Sequence, residues 1–139
     1  MNSYLQVRVS ARYVLSLGET KPLATTLRFH TNDPFVAIFD FDEPDSSTRW
    51  EIGMELLEQA FRDGHAHPEG GDISLTLDRE AQEFKIYLTN QEGEATITFP
   101  LDRLWRFTAR ALDLATPALR DAYLAKELSR FYDLLGGSQ

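Results

Sequence analysis

From Leu5 to Leu17 apolar residues occupy every odd position: Leu5, Val7, Val9, Ala11, Tyr13, Leu15 and Leu17. Gln6, Arg8, Ser10, Arg12 and Ser16 fill the even ones, with Val14 the single lapse. A period of two sends alternate side chains to opposite faces of a strand, whereas in a helix the same residues would be scattered around the axis. The pattern therefore predicts a long strand with one buried face, and the remaining chain must supply what buries it. Gly18 to Pro22 reads as a turn, after which Leu23, Thr25, Leu27 and Phe29 resume the alternation. Asn32-Asp33-Pro34 predicts a sharp turn, because an Asx side chain bonds its own downstream backbone and proline fixes φ. Phe35, Ala37, Phe39 and Phe41 line one face of the next strand. Val36 and Ile38 make its other face apolar as well, so both sides are expected to be covered, by helices or by a partner chain.

After the polar stretch Asp42 to Thr48 and a short strand around Arg49 to Ile52, the period changes. Leu56, Leu57, Ala60 and Phe61 fall at helical spacing, with Gly64 as a stop. His65 to Gly71 reads as a loop. Three strands follow, Ile73-Leu75-Leu77, Phe84-Ile86-Leu88 and Ala95-Ile97-Phe99, joined by turns at Asp78 to Gln82 and Asn90 to Gly93. Such short connections favour antiparallel hairpins. In the last 39 residues the period is helical: Leu101, Leu104, Trp105, Thr108 and Leu112 share a face, with Phe107 and Ala111 beside it. Thr116-Pro117 restarts the chain as an N-cap followed by proline at the first helical position. Leu124, Leu128, Phe131 and Leu135 then form one stripe, ended by Gly136-Gly137. The expected fold class is α+β. It comprises packed antiparallel sheets over residues 4–100 with a short inserted helix, then a C-terminal helix pair over 101–135, in one domain spanning 1–139.

Composition narrows the function. The chain has no cysteine, which excludes disulfides, thiolate metal sites and cysteine nucleophiles. Fourteen basic against 22 acidic residues give a net charge of −8, which opposes binding to a polyanion. No apolar run approaches the ~20 residues that span a bilayer. The N-terminus lacks the basic and then apolar blocks of a signal peptide, so a cytoplasmic protein is expected. The charge is uneven: residues 1–100 carry 8 basic and 17 acidic side chains, and residues 101–139 carry 6 and 5. Arg103, Arg106 and Arg110 fall on one helix face, either a solvated flank or a surface for an acidic partner or a phosphate. The cluster Asp40, Asp42, Glu43 and Asp45 invites the same two readings, a solvated loop or a surface that selects partners.

No reactive constellation emerges. His65-x-His67, with His30 elsewhere, falls short of the three converging groups a catalytic zinc needs. Glu51 beside Trp50 can be cast as an acid in an apolar pocket, but burial tendencies place Trp50 in the core and Glu51 in water. No nucleophile elbow or phosphate-binding glycine loop occurs. Neither catalysis nor a cofactor is expected.

Several local phrases carry a resemblance. Leu27-Arg28-Phe29 followed by Asp33-Pro34-Phe35 matches a pattern of Leu-Arg-Tyr, a few residues, then Asp-Pro-Tyr. Trp50 leads to the pair Leu56-Leu57. Gly64, Pro68 and Gly70-Gly71-Asp72 precede a hydrophobic strand, and Glu92-Gly93-Glu94-Ala95 matches a turn of the form Asp/Glu-Gly-x-Ala. In this order and spacing, from about residue 5 to residue 112, the chain resembles the SsgA-like family of sporulation and cell division proteins, most nearly the SsgB type. Where relatives carry Val-Pro-x-Gly-x-Glu after the first C-terminal helix, this chain has Leu114 to Leu119 running into a longer helix. The resemblance implies a non-catalytic adaptor at the division septum of actinobacteria, in a Whirly-like, barrel-like fold assembled as a trimer. It also implies recruitment of the tubulin-like division GTPase with help from an SsgA-like partner. Leu27, Arg28, Asp33, Pro34, Trp50, Leu56, Leu57, Gly71, Asp72, Gly93 and Ala95 are the motif positions. Val36, Ile38, Asp40, Asp42, Arg103, Arg106, Arg110, Leu124, Leu128 and Phe131 are the candidate interaction surface, with the Val36/Ile38 face or the C-terminal stripe expected to join subunits. The rival reading is a single-stranded nucleic-acid-binding module of Whirly-like fold, for which Arg8, Arg12 and Arg28 are the candidate cations.

Overall fold

The computed structural model describes residues 3–136 apart from 16, 17, 44, 45 and 92. Strands β1 (Tyr4–Val14), β2 (Thr20–His30), β3 (Val36–Glu43) and β4 (Ser46–Gly53) make one antiparallel meander. After helix α1 (Met54–Asp63), a second meander follows in β5 (His65–Ala66), β6 (Ile73–Asp78), β7 (Glu83–Asn90) and β8 (Gly93–Pro100). Helices α2 (Leu101–Leu114) and α3 (Pro117–Leu134) close the chain. The α+β class holds, but the plural sheets do not. All eight strands belong to one sheet in the order β4-β3-β2-β1-β8-β7-β6-β5. Among the described residues the seam between the meanders is short, pairing Arg12 with Thr98 and Tyr13 with Ile97.

The sheet is strongly curled into a half-barrel. Phe39 on β3 and Phe99 on β8 are separated by two intervening strands, about 14 Å apart in a flat sheet at ordinary strand spacing. Their rings meet edge-on with centroids 5.7 Å apart, and Phe41 lies 6.4 Å from the same ring. Leu5, Val9 and Ala11 of β1 join Leu23, Leu27 and Phe29 of β2 and Phe84, Ile86 and Ile97 across the concavity in one apolar core. The odd-numbered face of β1 is thus the inner one, as its alternation predicts. That face frays at the end, where Leu15 is exposed; Leu17 lies outside the described residues. The expected turn at 18–22 is shorter than its residues suggest. β2 already begins at Thr20, and Pro22 sits opposite Arg12. A proline is tolerated there because the β2–β3 ladder starts only at Ala24 and Asp42, so its missing N–H breaks no bond on that side. The segment expected as a loop at 65–71 opens with the two residues of β5, paired to β6.

The C-terminal end of α1 is tied to a strand. Gly64 terminates α1 at φ 88°, a left-handed conformation that suits glycine. Its carbonyl accepts from the Leu77 amide at 2.9 Å. Met54, Leu57 and Ala60 bury the inner face of α1. In α2 the buried residues are Leu104, Phe107, Thr108 and Ala111. This corrects the expected face: Trp105 is 48% exposed, its ring resting on Phe61 of α1 at 5.0 Å. The Arg103 guanidinium donates to the Arg8 carbonyl at 3.1 Å. α2 therefore lies beside the part of β1 that β8 does not reach.

Candidate functional site

α3 begins as its sequence dictates, with the Thr116 hydroxyl accepting from the Leu119 amide at 3.3 Å and Pro117 in the first turn. It then does something its stripe of leucines does not suggest: none of its residues is buried. It touches the half-barrel through Tyr123, whose ring lies 5.4 Å from Phe35, and Arg120, whose guanidinium sits 5.9 Å above that same ring. Leu119, Tyr123 and Glu127, four apart and so on one side, are only partly covered. One position further round, Leu124, Leu128, Phe131 and Leu135 are between 49% and 67% exposed, and Tyr132 and Leu134 more than 60%. In proteins most of a helix's stability comes from packing an apolar face. Here the apolar face is the uncovered one.

The corner where α3 meets the body is built around Asp33 and Phe35. Asp33, in the turn before β3, has a buried Oδ1 without a partner. Burial pushes its carboxyl above the usual 3.8, with Glu51 and Glu127 adding repulsion and the Phe35 amide partly offsetting both. The charge of Asp33 in turn raises the Tyr123 hydroxyl. The inner edge of α3 thus brings Arg120, Tyr123 and Glu127 to the corner that holds Asp33 and Phe35, while its apolar edge looks outward.

The outer face of the sheet carries the other candidates. Asp40, expected in an acidic cluster available to partners, is instead a strand residue of β3 neutralised by two arginines. It pairs with Arg28 on β2 and takes a bidentate contact from Arg49 on β4, at 2.7 and 3.1 Å. Its side chain is 13% exposed, so this carboxylate is already engaged within the chain. Asp42 is exposed, Glu43 ends β3, and Asp45 lies outside the described residues. Val36 and Ile38 are half-buried, the latter opposite Arg28 and Glu51 in neighbouring strands. Arg103, Arg106 and Arg110 are all exposed on α2. The cations proposed for a nucleic-acid site do not form an uninterrupted stripe: Arg28 is held by Asp40 and Gln6, and Arg12 shares its surface with Glu83 and Lys85.

Most motif positions serve the frame. Leu27 and Leu57 are fully buried, Pro34 is buried, and Leu56 and Trp50 are half-buried against the core. At Gly71 a Cβ would stand 2.9 Å from Pro68 Cγ and 3.1 Å from its carbonyl oxygen, so the close turn excludes a side chain. The Asp72 side chain is exposed while its carbonyl accepts from Thr89. Gly93 opens β8, and Ala95 helps line an open cleft of about 230 Å³ at the barrel mouth with Tyr13, Phe41, Trp50 and Leu88. Glu92 lies outside the described residues. His67 Nδ1 lies 3.3 Å from the Ile73 carbonyl, and His30 accepts from the Asn32 amide. Among the described residues no three His, Cys, Asp or Glu side chains gather as a metal site. Among them, too, no helix is long and apolar enough to cross a membrane.

This curled antiparallel half-barrel is shared with two solved proteins of sporulation-specific cell division. The solved structure of SsgB from Streptomyces coelicolor, in which mutations correlate with longitudinal cell division during sporulation, superposes with a TM-score of 0.78 at 24% identity, over 88% of this chain and 97% of that one. The SsgA-like sporulation-specific cell division protein from Thermobifida fusca superposes with a TM-score of 0.77 at 18% identity, covering 94% and 96%. Residues 23–118 match the family described as Streptomyces sporulation and cell division protein, SsgA, and the chain belongs to that family. No curated protein matches the sequence.

Proposed function

We propose that this chain is a non-catalytic adaptor in sporulation-specific cell division. It helps to position septa and recruits the tubulin-like division GTPase through protein contacts, as a homo-oligomer (a trimer in the family pattern) with an SsgA-like protein assisting. The observation that carries this reading is the uncovered apolar stripe of α3, Leu124, Leu128 and Phe131. Exposed apolar patches of this kind mark contacts with other macromolecules. Family membership supplies the process. Septal concentration follows from the partner rather than from the lipid, because the polymerising GTPase offers many copies of one site. An oligomeric adaptor multiplies weak contacts along such a filament, gaining avidity without any single strong site.

Co-sedimentation tests it. The intact protein is expected to pellet with polymerised division GTPase and to stay in the supernatant without it. Absence from the pellet across a range of concentrations would refute the reading. A low-salt titration with single-stranded DNA or RNA addresses the rival, since tight binding that collapses steeply with salt would favour nucleic acid.

A further inference from the structure

We infer that the free edge of β4 is a docking site for an extended segment of another protein, one that alternates apolar and basic residues and adds to the eight-stranded sheet as a further strand. The inference goes beyond the adaptor reading and concerns a different face from the α3 stripe. A strand edge displays a row of unpaired N–H and C=O groups, and proteins ordinarily guard such edges. Among the described residues three stretches of edge stand out. β5 ends one side of the sheet and is only two residues long. β1 is open beyond the seam, and there the Arg103 guanidinium caps the Arg8 carbonyl at 3.1 Å. β4 ends the other side and has no such guard. It runs for eight residues without proline or lysine, and its register with β3 continues without a bulge from Val36–Gly53 to Glu43–Ser46. Thr48, Trp50 and Ile52, which share its inner face, carry no charge.

The backbone and side chains of β4 select the occupant. The Met54 amide donates to the Phe35 carbonyl at 2.8 Å, next in register to the Val36–Gly53 pair. Hydrogen-bonded pairs alternate along an antiparallel ladder, so the even-numbered residues of β4 bond β3 while Ser47, Arg49 and Glu51 turn their N–H and C=O outward. A row of this kind is matched by another extended backbone, with side-chain pockets supplying specificity. On the inner face Thr48 and Trp50 line the open cleft of about 230 Å³, which Leu88 and Ile97 of the second meander also line. Residues of the added strand beside Thr48 and Trp50 therefore meet apolar surface. On the outer face Arg49 is engaged by Asp40, whereas Glu51 is exposed and without an ion-pair partner among the described residues. A basic side chain directly opposite Glu51 is stabilising and an acidic one is not. The net charge of −8 acts in the same sense, and it also disfavours a second copy of this chain as the occupant.

The test uses the full chain and a fluorescent synthetic peptide of alternating valine and lysine. Fluorescence anisotropy should show saturable binding. Methylating one of the two alternate sets of peptide amide nitrogens should weaken it at least about tenfold, by removing the bonds to the edge, while methylating the other set should matter less. Ser47→Pro should weaken it by a similar factor. Ser47 turns its N–H outward, so a proline there costs β4 no bond to β3, and an unchanged circular-dichroism spectrum confirms that the fold survives. Glu51→Lys should transfer the preference to a peptide with glutamate in place of lysine. Absence of saturable binding, or binding that survives Ser47→Pro and both methylated peptides, overturns the inference. So does equal affinity of the wild type for the lysine and glutamate peptides. Sedimentation velocity without peptide completes the test: self-association that Ser47→Pro abolishes would put a second copy on this edge and overturn the inference too. The adaptor reading fails separately, if the wild type binds the peptide as described but never pellets with the division GTPase.

Discussion

Deleting α3 should cost the fold little, a consequence of its having no buried residue. The perturbation is a chain ending at Ala115, which removes residues 116–139. It loses the Phe35–Tyr123 ring contact, worth about 0.5–1.5 kcal/mol, and the Arg120 guanidinium above Phe35, worth about 0.5–1 kcal/mol. Part of this is returned, because Glu127 no longer crowds Asp33 and water regains access to the Asp33 carboxylate. The expected net loss is therefore about 1–2 kcal/mol. For contrast, Phe107→Ala on α2, whose ring is 1% exposed, should cost about 3–5 kcal/mol by opening a cavity in the core.

Urea unfolding of the full chain, the truncation and Phe107→Ala at one low protein concentration gives the three values side by side. A truncation as costly as Phe107→Ala, or one that abolishes cooperative unfolding, would refute the placement of α3 outside the core. At higher concentration the same proteins separate again. The midpoint of the full chain should rise with concentration, because association stabilises only the folded form, while that of the truncated chain should rise less or not at all.

Two further outcomes follow from the body of the protein. A double-mutant cycle of Phe39→Leu and Phe99→Leu should give a coupling of about 0.5–1.5 kcal/mol in urea unfolding, as edge-to-face ring pairs do; additivity within about 0.3 kcal/mol would mean that β3 and β8 do not meet and the sheet is flatter than described. Asp78 controls a low-pH limb: the Ala81 amide, with Lys85 adding, holds its carboxylate below the usual 3.8. A depressed folded-state pKa gives stability that is present above 3.8 and lost as pH falls below it. Asp78→Asn should therefore flatten the fall of thermal midpoint below about pH 4, and a variant whose acid limb is as steep as the wild type's would remove Asp78 from the account.

Where a local rule decides the conformation, the sequence was sufficient. The odd-position run of β1, the stop at Gly64 and the Thr116-Pro117 helix start are each set within a few residues, and the structure has all three. What sequence could not supply depends on residues far apart. The pairing of Asp40 with Arg28 and Arg49 needs the registers that put Thr26 and Arg49 beside Asp40, and strand register is not written in composition. The single sheet depends on two residue pairs between β1 and β8, too short a seam to be read from either strand. Trp105 sits at the margin of its helix face, where a rotation of a few tens of degrees decides between core and surface. α3 presents the opposite problem. Its stripe reads as core, and only the exposure of that stripe among the described residues shows that it is not.

This division bears on what family membership transmits. The positions that carry the resemblance are largely those that hold the frame. Leu27 and Leu57 are sealed in the core, Pro34 is buried at the turn, and Gly71 is required by its approach to Pro68. Residues under such constraint would be retained whatever the protein bound, so they report fold and say little of partner choice. Discrimination between partners has to come from side chains that a partner can reach. Here those are Asp42, the arginines of α2 and the stripe of α3. Of these, the stripe lies past the end of the family match and has the largest uncovered apolar surface. A substitution there changes a contact surface without touching the core. Relatives that share the half-barrel can therefore differ in what they bind while keeping the same frame.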